Sequence, residues 1–333
     1  MKRIALPLLL CLLLAGCSGW QSSLDPHSVL AEHLANLFWF FVATCTVVWL
    51  LVAAALFRVL RQASPTGGRP DEDTPAQFRR KTIVISALVG ATVVILTIFT
   101  MVSFYATRGI TWHDANTITV KITGHQWWWE IEYQNEDPQQ IFHTANEIHI
   151  PVGRPVTLDL EAGDVIHSFW VPNLMGKQDL IPGRKNYLTI QADKPGLYRG
   201  QCAEFCGLEH AHMAILVFAQ SQADFEQWRR HQLTLAQMPG APQRLAGMQV
   251  FMTHPCRSCH TIAGTDAGAR VGPNLTHFGG RATIGAGVLR NTPLQLETWL
   301  RDPQAIKPGV IMPKVPLSPT ERGQLVDYLE GLK

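Results

Sequence analysis

Twelve residues from Cys202 to Met213 carry two thiols, an imidazole and a thioether, at Cys202, Cys206, His210 and Met213. A further imidazole, His167, stands in the run Asp164-Val165-Ile166-His167-Ser168-Phe169-Trp170. Cysteine, histidine and methionine together are a soft donor set, which suits copper better than magnesium or calcium. The spacing lets one loop turn its four side chains toward a common point, with His167 arriving from a different strand connection. These are more donors than a single blue-copper ion uses, and two thiolates make sense as bridges between two copper ions. A charge spread over both metals changes each bond length less, which favours fast electron transfer. On His167, Cys202, Cys206 and His210 alone, a closed tetrahedral zinc site is the competing reading, and the Met213 thioether argues against it. A Cys202–Cys206 disulfide is the alternative when metal is absent.

A second constellation is Cys256-Arg257-Ser258-Cys259-His260, the spacing of covalent c-type haem attachment. The thiols of Cys256 and Cys259 would add to the haem vinyl groups while His260 ligates the iron. Met312, in Gly309-Val310-Ile311-Met312-Pro313, is the expected sixth ligand, and a His/Met pair raises the reduction potential. Met248 and Met252 precede the motif on its own helix and are poorer candidates. The motif alone also fits a zinc knuckle or a redox pair. Its place after the helical stretch from Leu245 to Thr253, in an exported domain, favours haem. Two redox centres on one membrane-tethered chain mean electron transfer.

The chain has 333 residues, room for two globular domains beyond any membrane part. Its net charge of +2 and the lack of any Lys/Arg-rich run exclude an electrostatic nucleic-acid binder. Lys2 and Arg3 precede an apolar run from Ile4 to Leu14, the layout of an export signal and too short to span a bilayer. Leu14-Ala15-Gly16-Cys17 resembles a lipoprotein cleavage box, so Cys17 is the expected lipid anchor. Cys11 and Cys45 lie in apolar stretches, which leaves the pairs Cys202/Cys206 and Cys256/Cys259 inside their motifs.

Leu34 to Phe57 and Thr82 to Thr107 hold no charged residue, and each exceeds the roughly 20 residues a span needs. The loop from Arg58 to Lys81 holds six Lys/Arg and the segment from Ser18 to His33 none, which puts the loop in the cytoplasm. Both the N-terminus and everything after Arg108 then face outward. From Asn116 the pattern alternates with period two, at 117–122, 147–150, 156–160 and 187–190, with a closing buried strand at 214–218. Such strands, punctuated by Gly and Pro, predict a β-sandwich of about 100 residues. Ala223 to His231 reads as a helix and Met238-Pro239-Gly240-Ala241-Pro242 as a break, followed by a mostly helical domain ending in a helix over 318–332. The expected organisation is a signal with its lipid box (1–17), a transmembrane hairpin (18–109), a copper domain (110–220), a linker helix and hinge (221–243) and a haem domain (244–333). Residues 110–219 hold seven Lys/Arg against thirteen Asp/Glu, and residues 244–333 ten against six. An acidic copper domain and a basic haem domain would dock by complementary fields.

Gly124-His125-Gln126-Trp127-Trp128-Trp129-Glu130, His167-Ser168-Phe169, Ile181-Pro182-Gly183-Arg184 and Gly200-Gln201-Cys202-x-Glu204-x-Cys206-Gly207 resemble subunit II of the haem–copper cytochrome c oxidases. The resemblance covers roughly residues 25 to 220. It implies a two-helix hairpin carrying a cupredoxin sandwich. It also implies a dinuclear copper A centre on His167, Cys202, Cys206, His210, Met213 and the backbone carbonyl of Glu204. The Glu204 carboxylate would hold a magnesium ion shared with subunit I, and Trp127 matches the aromatic that receives electrons. Residues 244–333, with Gly272-Pro273-Asn274-Leu275, resemble a class I cytochrome c, in which Gly247, Phe251 and Tyr328 would form the terminal-helix contact. The whole is similar to the caa3-type subunit of a bacterial plasma membrane. The implied partners are subunits I and III, with cytochrome c or a bc1-type complex as donor. Electrons would pass to haem a in subunit I, where oxygen reduction and proton translocation occur. A nitric oxide reductase subunit with a similar copper domain, and a non-catalytic electron-transfer protein, are the alternative readings. One departure stands out. Family members often place a glutamate near the start of the second span for proton uptake, but Gln77 to Thr82 carries no acid, leaving Glu32, Glu72 and Asp73 as possible substitutes.

Overall fold

The computed structural model describes residues 18–62, 74–108 and 117–333. The export signal, Cys11, Cys17, Glu72 and Asp73 lie outside the described residues. Two units are distinct, one of residues 32–110 and one of residues up to 31 together with 111–333.

The first unit is made of two long helices, α1 (Val29–Gln62) and α2 (Pro75–Thr107), with stretches of mean hydropathy 2.4 and 2.5. At 1.5 Å per residue each is about 50 Å long, more than the ~30 Å hydrocarbon layer. Their length, with no side chain of those stretches buried in protein, identifies them as the membrane anchor. Phe99 of α2 packs on Phe40 and Phe41 of α1, with ring centroids 5.5 and 4.4 Å apart. The hydroxyls of Thr44, Thr82, Thr92, Thr97, Thr100 and Thr107 each donate to the carbonyl four residues back. Each polar group is thereby satisfied within its own helix, as lipid requires. A reciprocal Thr74–Gln77 cap and Pro75 in the first turn start α2. Glu32 sits in the first turn of α1.

The second unit opens with a sandwich of two five-stranded sheets. One runs β3-β2-β1-β5-β8 and the other β4-β10-β9-β6-β7. The strands are β1 (Ile118–His125), β2 (Trp128–Gln134), β3 (Phe142–Ala145), β4 (Glu147–Pro151) and β5 (Val156–Ala162). They continue with β6 (His167–Trp170), β7 (Gln178–Leu180), β8 (Asn186–Ile190), β9 (Gly196–Cys202) and β10 (Ala214–Gln220). β1 pairs with β5, and β4 with β10, in parallel, while the other neighbours are antiparallel. Alternation sets the core. Val120 and Ile122 of β1 and Trp129, Ile131 and Tyr133 of β2 point inward, toward Ile148, Phe169, Ile215 and Val217 of the opposite sheet. All five strands read from the sequence are present. β2, β3, β6, β7 and β9 complete the sheets.

Helix α3 (Gln222–Gln232), capped by Ser221, closes one edge by stacking Trp228 on His149 at 4.0 Å. After the extended segment 233–241 come α4 (Pro242–Thr253), α5 (Pro293–Arg301), the short α6 (Pro303–Ile306) and α7 (Pro319–Glu330), with two brief hairpins between. The first and last long helices of this helical region cross where Gly247 meets α7. A Cβ on Gly247 would run into the Gln324 carbonyl, so only glycine permits the approach. Phe251 and Tyr328 seal the crossing, edge to face at 6.1 Å.

Candidate redox centres

His167 begins β6, fully buried, and Asp164 fixes its ring by a 2.8 Å contact to Nε2. That turns Nδ1 toward Cys202, 3.8 Å from its Sγ at the end of β9. A carboxylate behind an imidazole is the usual way to hold a metal-binding histidine in one tautomer. Cys206 Sγ lies 3.7 Å from Cys202 Sγ, 3.6 Å from His210 Nδ1 and 4.0 Å from Met213 Sδ. The Glu204 carbonyl oxygen is 3.3 Å from Cys202 Sγ. The thiols are far beyond the ~2.05 Å of a disulfide. Their proximity splits them. The Cys206 thiol, and then His167, pull Cys202 well below the usual thiol range, while the thiolate so formed pushes Cys206 up.

Two glycines allow this convergence. A Cβ on Gly124 would sit 2.8 Å from the His167 ring. Gly207, at φ +112°, turns the loop so that the Cys206 carbonyl accepts from Gln126 Nε2 at 2.7 Å and Trp127 Nε1 at 3.0 Å. The donors fit a copper pair. One imidazole stands beside each sulfur, and a thioether and a carbonyl lie in reach, more than one four-coordinate ion takes. Glu204 keeps its carboxylate half-exposed, 3.9 Å from Lys177 Nζ. His125 stacks on Trp128 and contacts Glu130 at 3.2 Å, away from the sulfurs.

Cys256, Cys259, His260 and Met312 line one apolar cavity with about 1310 Å³ unfilled by protein atoms, part of it continuous with solvent. His260 Nδ1 bonds the Pro273 carbonyl at 2.8 Å, leaving Nε2 free as a ligand. A Cβ on Gly272 would press on the same ring at 2.7 Å. Gln304 braces the opposite loop, donating to the carbonyls of Val310 at 2.6 Å and Met312 at 3.0 Å. Two thiols, an imidazole and a thioether around one apolar cavity fit a covalently held haem.

Trp127 belongs to both sites. It is 8% exposed, bonds the Cys206 carbonyl, and forms part of the haem cavity wall. A Cβ on Gly309, three residues before Met312, would lie 3.4 Å from its ring.

Two residues to which the sequence reading gave no role at a site join the sandwich to the helical region. Lys307, 1% exposed, donates to the carbonyls of Trp127 (2.8 Å), His212 (2.6 Å) and Gly285 (2.8 Å). Burial lowers its ammonium to about 8. Glu147, 4% exposed, accepts from the amides of Ala282 (2.7 Å) and Thr283 (3.1 Å). Burial raises its carboxyl to about 7 against the pull of Arg281 and those amides. No motif marks these charges. Only the domain-level charge difference pointed to such a seam.

The fold and sites define a membrane-anchored electron-transfer protein, a cupredoxin-like sandwich joined to a c-type cytochrome. Residues 135–220 match the family model described as cytochrome c oxidase subunit II, periplasmic domain, and residues 245–333 match that of cytochrome c. A cytochrome c oxidase subunit 2 of Alkalihalophilus pseudofirmus is 35% identical, over 97% of this chain and 95% of that one. The Bacillus subtilis protein of the same name is 33% identical, over 66% and 63%. A crystal structure of the periplasmic domain of subunit II of cytochrome oxidase (CoxB) of Bradyrhizobium japonicum aligns at 31% identity with TM-score 0.33, over 36% of this chain and 95% of that one. The chain belongs to the cytochrome c oxidase subunit II family, in the form that carries its own cytochrome c domain. It is thus a subunit of a haem–copper oxidase, with copper A and haem c as the groups its two domains imply.

Proposed function

We propose that the chain carries electrons inward along a route fixed by its own residues, from His260 and Met312 through Trp127 to the cluster of His167, Cys202, Cys206, His210 and Met213. When bound, the haem and the copper pair supply the one-electron chemistry. Cys256 and Cys259 would tether the haem, and the apolar wall would limit water around it. Trp127 bridges the two loops, one face toward the cavity and its indole N–H on the Cys206 carbonyl. Asp164 and the Pro273 carbonyl hold the two imidazoles in ligating tautomers. The observation that carries this reading is the position of Trp127, in contact with the loops of both centres.

The destination is haem a in subunit I of a caa3-type oxidase, where oxygen is reduced and protons are moved. Subunit III completes the complex, and a cytochrome c or a bc1-type complex is the donor. The sandwich and haem domain face the outer side of a bacterial plasma membrane, with Cys17 as lipid anchor. Glu204 offers its carbonyl to copper and its carboxylate to a magnesium ion shared with subunit I. The domain limits are those given above. Anaerobic rapid mixing of the purified oxidase with a reductant of the haem tests the route. Haem reduction should precede copper reduction, and Trp127→Phe should slow only the second phase. Haem that stays reduced beside oxidised copper would refute it.

A further inference from the structure

We propose that Lys307 is the positioning residue that holds the haem domain against the copper domain in a single electron-transferring pose. The inference rests on the route proposed above and adds the group that sets its geometry.

The ammonium has three N–H donors, and three carbonyls take them all. Two belong to the copper domain and flank its site. Trp127 is the bridging indole itself, and His212 lies between His210 and Met213. The third, Gly285, belongs to the haem domain. Lys307 is also joined through Pro308 and Gly309 to the loop bearing Met312, and Gly309 abuts the Trp127 ring. One side chain therefore ties the haem loop, the indole and the copper loop together.

The choice of lysine is costly. A buried ammonium loses its water, and no carboxylate among the described residues makes an ion pair with it. A buried apolar residue would pack there without that cost but would leave the carbonyls unmet. What the ammonium contributes instead is direction, because three fixed acceptors define one position for the charge. Another seam contact, Glu147 on the Ala282 and Thr283 amides, lies on β4 and reaches the Gly285 hairpin, but it bonds neither the Met312 loop nor the Cys202–Met213 loop. Glu147 adds adhesion, whereas Lys307 sets the alignment. The step it serves moves one electron from haem to copper, with no bond made or broken and the ammonium keeping its protons.

Two variants of the full chain test this, Lys307→Met and the milder Lys307→Gln, in the assembled oxidase and without metals. Hydrogen exchange at the Ala214 amide, which donates across the seam to Ala286 at 2.9 Å, reads docking with no cofactor needed. Its exchange should quicken by about tenfold or more in Lys307→Met and less in Lys307→Gln. In the loaded oxidase, haem-to-copper transfer after a light-triggered reduction should slow by about tenfold and become viscosity-dependent, with both optical spectra unchanged. Unaltered exchange and a viscosity-independent rate within twofold of the parent, in either folded variant, would overturn the proposal. Absence of transfer in the parent would instead overturn the route, while the exchange data would still judge Lys307.

Discussion

Glu147 offers the sharpest test of how the two soluble domains hold together. Its carboxyl ordinarily titrates at 4.5, and burial at the seam moves it to about 7. When the seam opens, the group regains water and its ordinary value. The closed state therefore binds a proton more tightly than the open state. Closure is favoured most at low pH and weakens as pH rises from about 4.5 to about 7, with no further loss above that window. The full displacement is worth about 3 kcal/mol. Between about pH 5.5 and about pH 8 the change is about 2 kcal/mol, or about 25-fold in the opening equilibrium. Amide exchange at Ala282 and Thr283, corrected for the intrinsic pH dependence, should show that loss of protection in the intact chain. Glu147→Gln keeps an acceptor for the two amides and removes the titration, so its protection should be flat across the window. Protection that rises with pH, or an equal slope in the variant, would mean that Arg281 and the two amides keep Glu147 ionised throughout.

Cys206→Ser should lower bound copper from two atoms per chain to one or none, measured by metal analysis, while covalent haem stays stoichiometric. Gly247→Ala would stabilise an exposed helix by about 0.5–1 kcal/mol, but against the Gln324 carbonyl it should cost about 1–3 kcal/mol. The sign is read from the thermal loss of the haem absorbance. Met312→Ala should leave haem attached through Cys256 and Cys259 yet lower its reduction potential in a redox titration.

Much of this architecture is readable in the amino-acid order because its signals are local. An uncharged stretch in α1 or α2 leaves few options but lipid, alternation in β1 gives both strand and inner face, and the continuous apolar run of β10 reads as a strand buried on both faces. β9 escapes because its inward positions are Tyr198, Gly200 and Cys202, and the small glycine breaks the apolar alternation. β2 alternates well, with Trp129, Ile131 and Tyr133 inward, yet its aromatic run also reads as part of a site motif. The redox clusters are legible because their donors recur at short spacing. Lys307 and Glu147 are not, since each is a single charge whose meaning arises only when a distant surface excludes its water. Gly207 belongs to the same class, as a glycine crowded by Gln126 and Trp127 from another segment.

Burying Trp127 under the cytochrome has a kinetic corollary. A diffusing carrier cannot reach the indole without first displacing a tethered neighbour whose local abundance far exceeds that of any soluble competitor. If electrons follow the proposed route, dilution of the external pool throttles only the loading of the cytochrome and leaves the onward hop untouched. On the proposed route the molecule would work as a one-lane relay with a resident shuttle.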